Sequence, residues 1–285
     1  MEQAQVTTGS DHKRVALVIG SGGAKCAAAL GLWQVLQEEG IHISMAVGSS
    51  GGSLYAAVMA LGFDVQTAQE LTLNLWTSDL MEGYAANLRR ALSGESRFTE
   101  RSGLIDDRPL MERLTRAFGA RTFEDTQVPL YVVSTDFFTG ESVVHSSGAI
   151  LDAVRASIAI PIIIPPWQVG ERLLVDGAVS DPLPVDVAIK EGGQVIVAIG
   201  FELPTRRRMR SYTSVTSHLN SLYMNNILQA TFAFHNLAHH AEVVLVLPEL
   251  DQSLGAFSAE QFPSVIAEGA RAARQQLPYL KRLLG

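Results

Sequence analysis

One pentapeptide in the chain, Gly48-Ser49-Ser50-Gly51-Gly52, has the G-x-S-x-G pattern, and only Ser50 can be its central serine. The pattern suits acyl-transfer chemistry, because it lifts a serine hydroxyl onto a turn too sharp for side chains at the flanking positions. A short apolar run, Met45 to Val47, precedes it and an Ala-rich stretch, Ser53 to Ala60, follows. Strand, turn and helix in that order predict a nucleophile elbow with Gly48 and Gly52 as its hinges. The helix start beyond Ser50 would turn N–H groups and a positive dipole end toward a developing anion. An ordinary glycine-rich turn is the competing reading of the five residues, and the flanking elements favour the elbow.

A second glycine-rich segment, Gly20-Ser21-Gly22-Gly23-Ala24-Lys25, also joins an apolar run (Val15 to Ile19) to a helical stretch. Backbone donors in such a loop can approach an anion with no Cβ in the way. A dinucleotide fingerprint would need a third glycine where Lys25 stands, and a P-loop would need Ser or Thr where Cys26 stands. Alone, the loop suits a mononucleotide or phosphate site as well as anything else. Paired with a serine elbow one βα unit later, it reads as an oxyanion hole built from the amides of Gly22, Gly23 and Ala24. Third is Asp176-Gly177-Ala178, after the strand-like Leu173 to Val175 and ahead of Asp181-Pro182-Leu183-Pro184. A carboxylate at a strand end can face a site at the edge of a sheet. Capping a turn is its commoner role.

The remaining reactive side chains read as bland. None of the seven histidines (His12, His42, His145, His218, His235, His239, His240) sits in the glycine-rich or strand-end context of a triad base. His235 and His239 have the spacing of H-E-x-x-H, but residue 236 is Asn, so no metal site is expected there. No Asp-rich calcium loop is present. Cys26, the one cysteine, excludes a disulfide framework and is expected to pack rather than react. Arg206-Arg207-Arg208-Met209-Arg210 reads as a solvated loop, with contact to anionic headgroups or a neighbouring subunit as the alternative.

These residues need elements to hold them. Strand candidates at Val15–Ile19, Met45–Val47, Pro129–Ser134, Glu141–His145, Arg172–Val175, Val195–Ile199 and Val243–Leu247 alternate with helical stretches, which predicts βαβ units around a mainly parallel sheet. Ala27 to Glu39 is a predicted helix closed by Gly40. Between about residues 64 and 118 strand signals are scarce, and Leu71, Leu75, Leu80, Leu88, Leu104, Leu110, Leu114 and Phe118 predict a helical insertion that could also shape an acyl groove. The last helix, Ala259 to Leu284, is expected to break near Pro263 and Pro278. No linker divides the chain, so residues 14–285 are expected to form one domain behind a polar tail, 1–13. With 285 residues, 47% hydrophobic and 18% charged, the chain can bury a sizeable core. A net charge of −7 argues against a dedicated nucleic-acid binder. The first fourteen residues lack the apolar region of a signal peptide, and the longest apolar stretch, Ile158 to Pro166, is too short to span a bilayer. A cytoplasmic protein is expected, with contact at the inner membrane face left open.

Taken together, the motifs resemble the patatin-like phospholipases, in particular the bacterial branch similar to neuropathy target esterase. The matching blocks are the Gly20–Lys25 loop, the Ser50 elbow, Ser134-Thr135-Asp136-Phe137-Phe138-Thr139-Gly140 with Glu141, Ala156-Ser157 through Pro161 to Pro165-Pro166, and Asp176-Gly177-Ala178. The resemblance covers about residues 14 to 250. It implies a three-layer α/β/α sandwich with a central, mostly parallel sheet. It also implies a Ser–Asp dyad without histidine, with Ser50 as nucleophile and Asp176 as its base, acting on phospholipid or lysophospholipid acyl esters with no metal or organic cofactor. The family loop usually reads G-G-G-x-R/K-G, whereas this chain has Ser21 in place of its first glycine and Cys26 in place of its last. Two other functions stand beside the hydrolase: an acyltransferase or thioesterase using the same serine, and a lipid-binding protein whose site has decayed through Ser21 and Cys26.

Overall fold

The computed structural model describes residues 13–250 and 261–285 apart from 74, 76, 96, 204, 206, 207, 239 and 240. His12, His239, His240, Arg206, Arg207, nearly all of the N-terminal tail and the expected start of the last helix at Ala259 lie outside the described residues.

The first strand, β1 (Val15–Ile19), is buried at all five positions, as a continuous apolar run requires when both faces of a sheet are covered. Its side chains alternate between two cores. Leu17 and Ile19 join the larger one, while Ala16 and Val18 join the smaller one on the other face. Then follow α1 (Ala28–Glu38), β2 (Met45–Ser49), α2 (Gly51–Ala60), α3 (Val65–Leu73), α4 (Tyr84–Leu92), α5 (Arg108–Phe118), β3 (Leu130–Asp136), β4 (Ser142–His145) and α6 (Ile150–Ser157). The chain continues through β5 (Trp167–Val169), β6 (Arg172–Asp176), α7 (Val185–Lys190), β7 (Val195–Ile199), α8 (Tyr212–Ala238), β8 (Glu242–Val246) and α9 (Phe262–Leu284).

The sheet order is β5-β6-β3-β2-β1-β7-β8, with β4 also paired to β3. The five strands from β3 to β8 run parallel, and β4, β6 and β5 add antiparallel pairings at one side. This is a mostly parallel α/β sheet flanked by helices, as the alternation of elements predicts. One detail of register positions the site. β2 pairs with β3 as far as Ser49↔Val133, and β6 pairs with the next residue of β3, Ser134↔Asp176. The carboxyl ends of β2 and β6 therefore converge on adjacent residues of β3, which brings two distant stretches of sequence together.

The region between 64 and 118 is largely helical, as expected, and most of the residues that mark it serve packing. Leu75, Leu80, Leu104, Leu110, Leu114 and Phe118 are all buried. The final helix departs from expectation. It starts at Phe262 with Pro263 in its first turn, where no N–H is needed, and it runs unbroken through Pro278. Ala272, Ala273 and Leu280 are buried on either side of that proline, so tertiary packing holds a helix whose local sequence would interrupt it. Among the described residues no helix is long and apolar enough to cross a membrane.

Candidate active site

Ser50 sits between β2 and α2 with φ 53° and ψ −132°, in a region L side chains rarely adopt. Several contacts hold it there. Its amide donates to Ser157 Oγ (2.9 Å), which itself donates to the Val133 carbonyl (2.6 Å). Its carbonyl accepts from the Ser53 hydroxyl (2.6 Å) and amide (2.9 Å). The flanking glycines are needed because two backbones meet there. A Cβ on Gly51 would lie 2.7 Å from the Gly23 carbonyl oxygen, and one on Gly52 would collide with the carbonyl of Ile19. The elbow and the Gly20–Lys25 loop are thus in direct contact.

The Ser50 hydroxyl donates to Asp176 Oδ2 at 2.7 Å. Both residues are nearly enclosed, Ser50 at 7% and Asp176 at 3% exposure. Asp176 ends β6, and its other carboxylate oxygen accepts the Ala178 amide (2.8 Å), so the turn aims the carboxylate. Its own amide donates to the Ala159 carbonyl (3.0 Å) and its carbonyl accepts from Thr135 Oγ1 (2.8 Å). Gly177 has no alternative here, because a Cβ would collide with the Val133 carbonyl and come within 2.6 Å of Ser49 Oγ. Burial pushes the Asp176 carboxyl up to about 7, against the opposing pull of the Ser50 hydroxyl and the Ala178 amide.

In the first loop the amides of Gly20 and Ser21 are spent on the carbonyls of Ile199 (2.9 Å) and Pro182 (2.8 Å). The Lys25 amide bonds to Gly22 (3.2 Å). Those of Gly22, Gly23 and Ala24 have no partner among the described residues, and Gly23 lies against the residue that follows Ser50. Cys26 is fully buried. Its thiol reaches the Gly20 carbonyl (3.3 Å), and burial pushes it well above its ordinary pKa. Lys25 turns away, its ammonium donating to the Glu202 carbonyl (2.9 Å). It lines a cavity of about 700 Å³ with Phe201, Asn225 and Leu250; another, of about 630 Å³, lies against Asp181 and Lys190. Neither is lined by Ser50.

Ser157, Thr135 and Ser53 were not singled out from the sequence. Ser157 and Thr135 belong to blocks of the family resemblance, and that is their only sequence signal. Their roles depend on contacts across the fold. His145 also differs from its bland reading, since its Nε2 lies 2.7 Å from Ser134 Oγ. Among the described residues no group of three or more His, Cys, Asp or Glu is placed to hold a metal ion.

A mostly parallel sheet with a serine elbow at its carboxyl end defines the class of fold. The family model for the patatin-like phospholipases matches residues 17–189, and the chain belongs to that family. It is 34% identical over 190 residues to an NTE family protein of Mycobacterium tuberculosis, covering 65% of this chain and 30% of that one. It is 28% identical over 200 residues to patatin-like phospholipase domain-containing protein 7 of Rattus norvegicus, covering 69% and 14%. The matched segment spans less than a third of either relative. Among solved structures, human GIVD cytosolic phospholipase A2 superposes with a TM-score of 0.53 at 13% identity, covering 95% of this chain and 59% of that one. VipD of Legionella pneumophila gives 0.51 at 15% identity, covering 95% and 67%. Those two likenesses concern the fold alone.

Proposed function

We propose that the chain is a serine acyl-ester hydrolase of phospholipids or lysophospholipids, working through a Ser50–Asp176 dyad. The reading rests on one observation above the others, the 2.7 Å hydrogen bond from the elbow serine to a buried carboxylate. Family membership supports the lipid-ester substrate. As Ser50 Oγ attacks the ester carbonyl carbon, its proton passes to Asp176 Oδ2. The carbonyl oxygen gains negative charge and is met by the unspent amides of Gly22, Gly23 and Ala24. The tetrahedral intermediate collapses, the alcohol leaves with the proton from Asp176, and an acyl-serine remains. Water, deprotonated by the same carboxylate, releases the fatty acid and restores the serine. A carboxyl pushed up to about 7 is matched to this work, since about half of it is ionised at neutral pH and it is basic enough to take a proton.

The test is release of fatty acid from phosphatidylcholine and lysophosphatidylcholine in excess chelator, with an alcohol or thiol acceptor added in a parallel reaction. Hydrolysis without added calcium is expected. Strict calcium dependence, or acyl transfer with no hydrolysis, would overturn the assignment.

A further inference from the structure

Ser50 is nearly enclosed, and three exposed apolar residues, Phe137, Phe138 and Ile162, stand on loops next to the strands that hold the site. β3 continues three residues past Val133, the last one paired with β2. At about 3.3 Å per residue, the turn joining β3 to β4 stands roughly 10 Å beyond Ser50. At its tip are Phe137 and Phe138, 41% and 73% exposed. Their rings meet edge to face with centroids 5.2 Å apart.

The turn does not need these rings. Asp136 Oδ1 accepts the amides of Phe138 (3.0 Å) and Thr139 (3.1 Å), and the Asp136 carbonyl accepts that of Gly140 (2.9 Å). The Phe137 amide donates to the Leu173 carbonyl (2.9 Å), and Gly140 takes the positive φ of 74°. Turn tips ordinarily carry polar side chains. Here the backbone and the Asp136 carboxylate do the shaping, and two aromatic rings are left facing solvent.

A second apolar point belongs to the loop whose Ala159 carbonyl holds the Asp176 amide. Ile162 in that loop is 60% exposed and has φ 71°. A β-branched residue is strained in that conformation, and here no burial within the chain compensates. Strain of this kind points to a use outside the folded chain.

We propose that Phe137, Phe138 and Ile162 form a membrane-docking rim that seats the mouth of the Ser50 site on a phospholipid surface. The proposal rests on the lipid-ester reading above. A lipid interface fits these features better than a second copy of the chain does. A stable self-contact buries on the order of 800 Å² per partner on a continuous face, and these are projecting tips on two loops. Aromatic rings favour the headgroup boundary of a bilayer, where apolar groups sit about 5–10 Å deep. Sinking the tip by that depth brings Ser50 close to the level of the ester carbonyls.

Partition is measured with the full chain carrying Ser50→Ala, which leaves the lipid intact, by sedimentation with phosphatidylcholine vesicles. Adding Phe138→Ser should weaken partition on the order of tenfold, and adding Phe137→Ser as well should weaken it further. Ile162→Asn should also weaken it while melting no lower than the parent, because Asn tolerates the positive φ. With Ser50 restored, the same variants should hydrolyse the soluble monomer p-nitrophenyl butyrate within about twofold of wild type, as surface changes do. Undiminished vesicle binding by the double Phe variant would overturn the proposal. So would loss of a dimer in that variant, by light scattering, without a vesicle effect. If wild type failed to cleave p-nitrophenyl butyrate, the hydrolase reading would fall, while the partition of the Ser50→Ala series would still decide the docking rim.

Discussion

Two serines on neighbouring strands each hydrogen-bond a potential base, and they differ in everything else. Ser134 lies in β3, fully buried, with its Oγ 2.7 Å from His145 Nε2. Ser50 leaves β2 on a strained turn, 7% exposed, with its hydroxyl on the carboxylate of Asp176. The two sites are only a register step apart, since Ser134 pairs with Asp176 across the sheet. Ser134 thus has the partner of a conventional serine hydrolase, but it lies within a regular strand and is fully buried. Ser50 lacks histidine yet has the elbow, the helix start of α2 and the unspent amides of the first loop. A base nearby does not make a nucleophile. Backbone geometry and access decide which hydroxyl can reach a carbonyl carbon and where the resulting charge is met.

The comparison is broken most sharply at Ser50 itself. Ser50→Ala should lower ester hydrolysis by at least about 10⁴-fold. The melting temperature should stay near wild type, because the elbow is held through backbone groups. Activity close to wild type would remove Ser50 from the mechanism.

Next in size is Asp176→Asn, expected to lose about 10³-fold or more in kcat, since among the described residues no imidazole hydrogen-bonds Ser50 to take the proton. Its stability should move the other way. The carboxyl titrates near 7 in the folded chain and near about 4 when unfolded. Between those values the native state holds a proton that the unfolded state has lost, so this group's contribution to stability falls as pH rises through that window. Asn carries no such penalty, and the variant should melt at or above the wild-type temperature at pH 8. A variant that loses activity and stability together would make Asp176 a structural residue.

A smaller effect is set by pH. The kcat/KM of wild type should fall tenfold per pH unit below about 7 as Asp176 takes up a proton. Burial and the nearby Arg172 hold the His145 imidazole below its ordinary range, so His145→Gln should leave that limb where it is. Loss or displacement of the limb in His145→Gln would transfer the proton chemistry to the other serine's partner. Smallest of all is the direct effect of that pair on rate. Ser134→Ala should keep activity within a few-fold and lose on the order of 1–3 kcal/mol of stability, the cost of leaving a buried polar partner unmatched.

Much of this corner is legible in the sequence because glycine marks it. Gly48, Gly51, Gly52 and Gly177 stand where two backbones come together, and such positions announce themselves in one dimension. β1, β2 and β7 are equally plain, being short apolar runs between turn residues. What escapes is whatever depends on contacts across the fold. Ser157 and Thr135 look like any small polar residue until the fold sets Ser157, at the end of α6, on the Ser50 amide and Thr135, in β3, on the Asp176 carbonyl. His145 reads as bland until β4 lies against β3 and sets its ring on Ser134. Strand β5 is too short, and α7 too brief, for periodicity to show. Pro278 misleads because buried neighbours override its local preference. Most leucines of the 64–118 region mark helices, though Leu75 and Leu104 lie between them, and their number says nothing about whether they face a lipid or the core.

The central claim, that the elbow serine and not the histidine-paired one is the activated hydroxyl, is tested most directly with a fluorophosphonate. Labelling of wild type, Asp176→Asn and His145→Gln, followed by mass spectrometry of the peptides, separates the two. One label per chain on Ser50 is expected, nearly absent in Asp176→Asn and undiminished in His145→Gln. A label on Ser134, or labelling of Ser50 that depends on His145 and survives Asp176→Asn, would contradict the account.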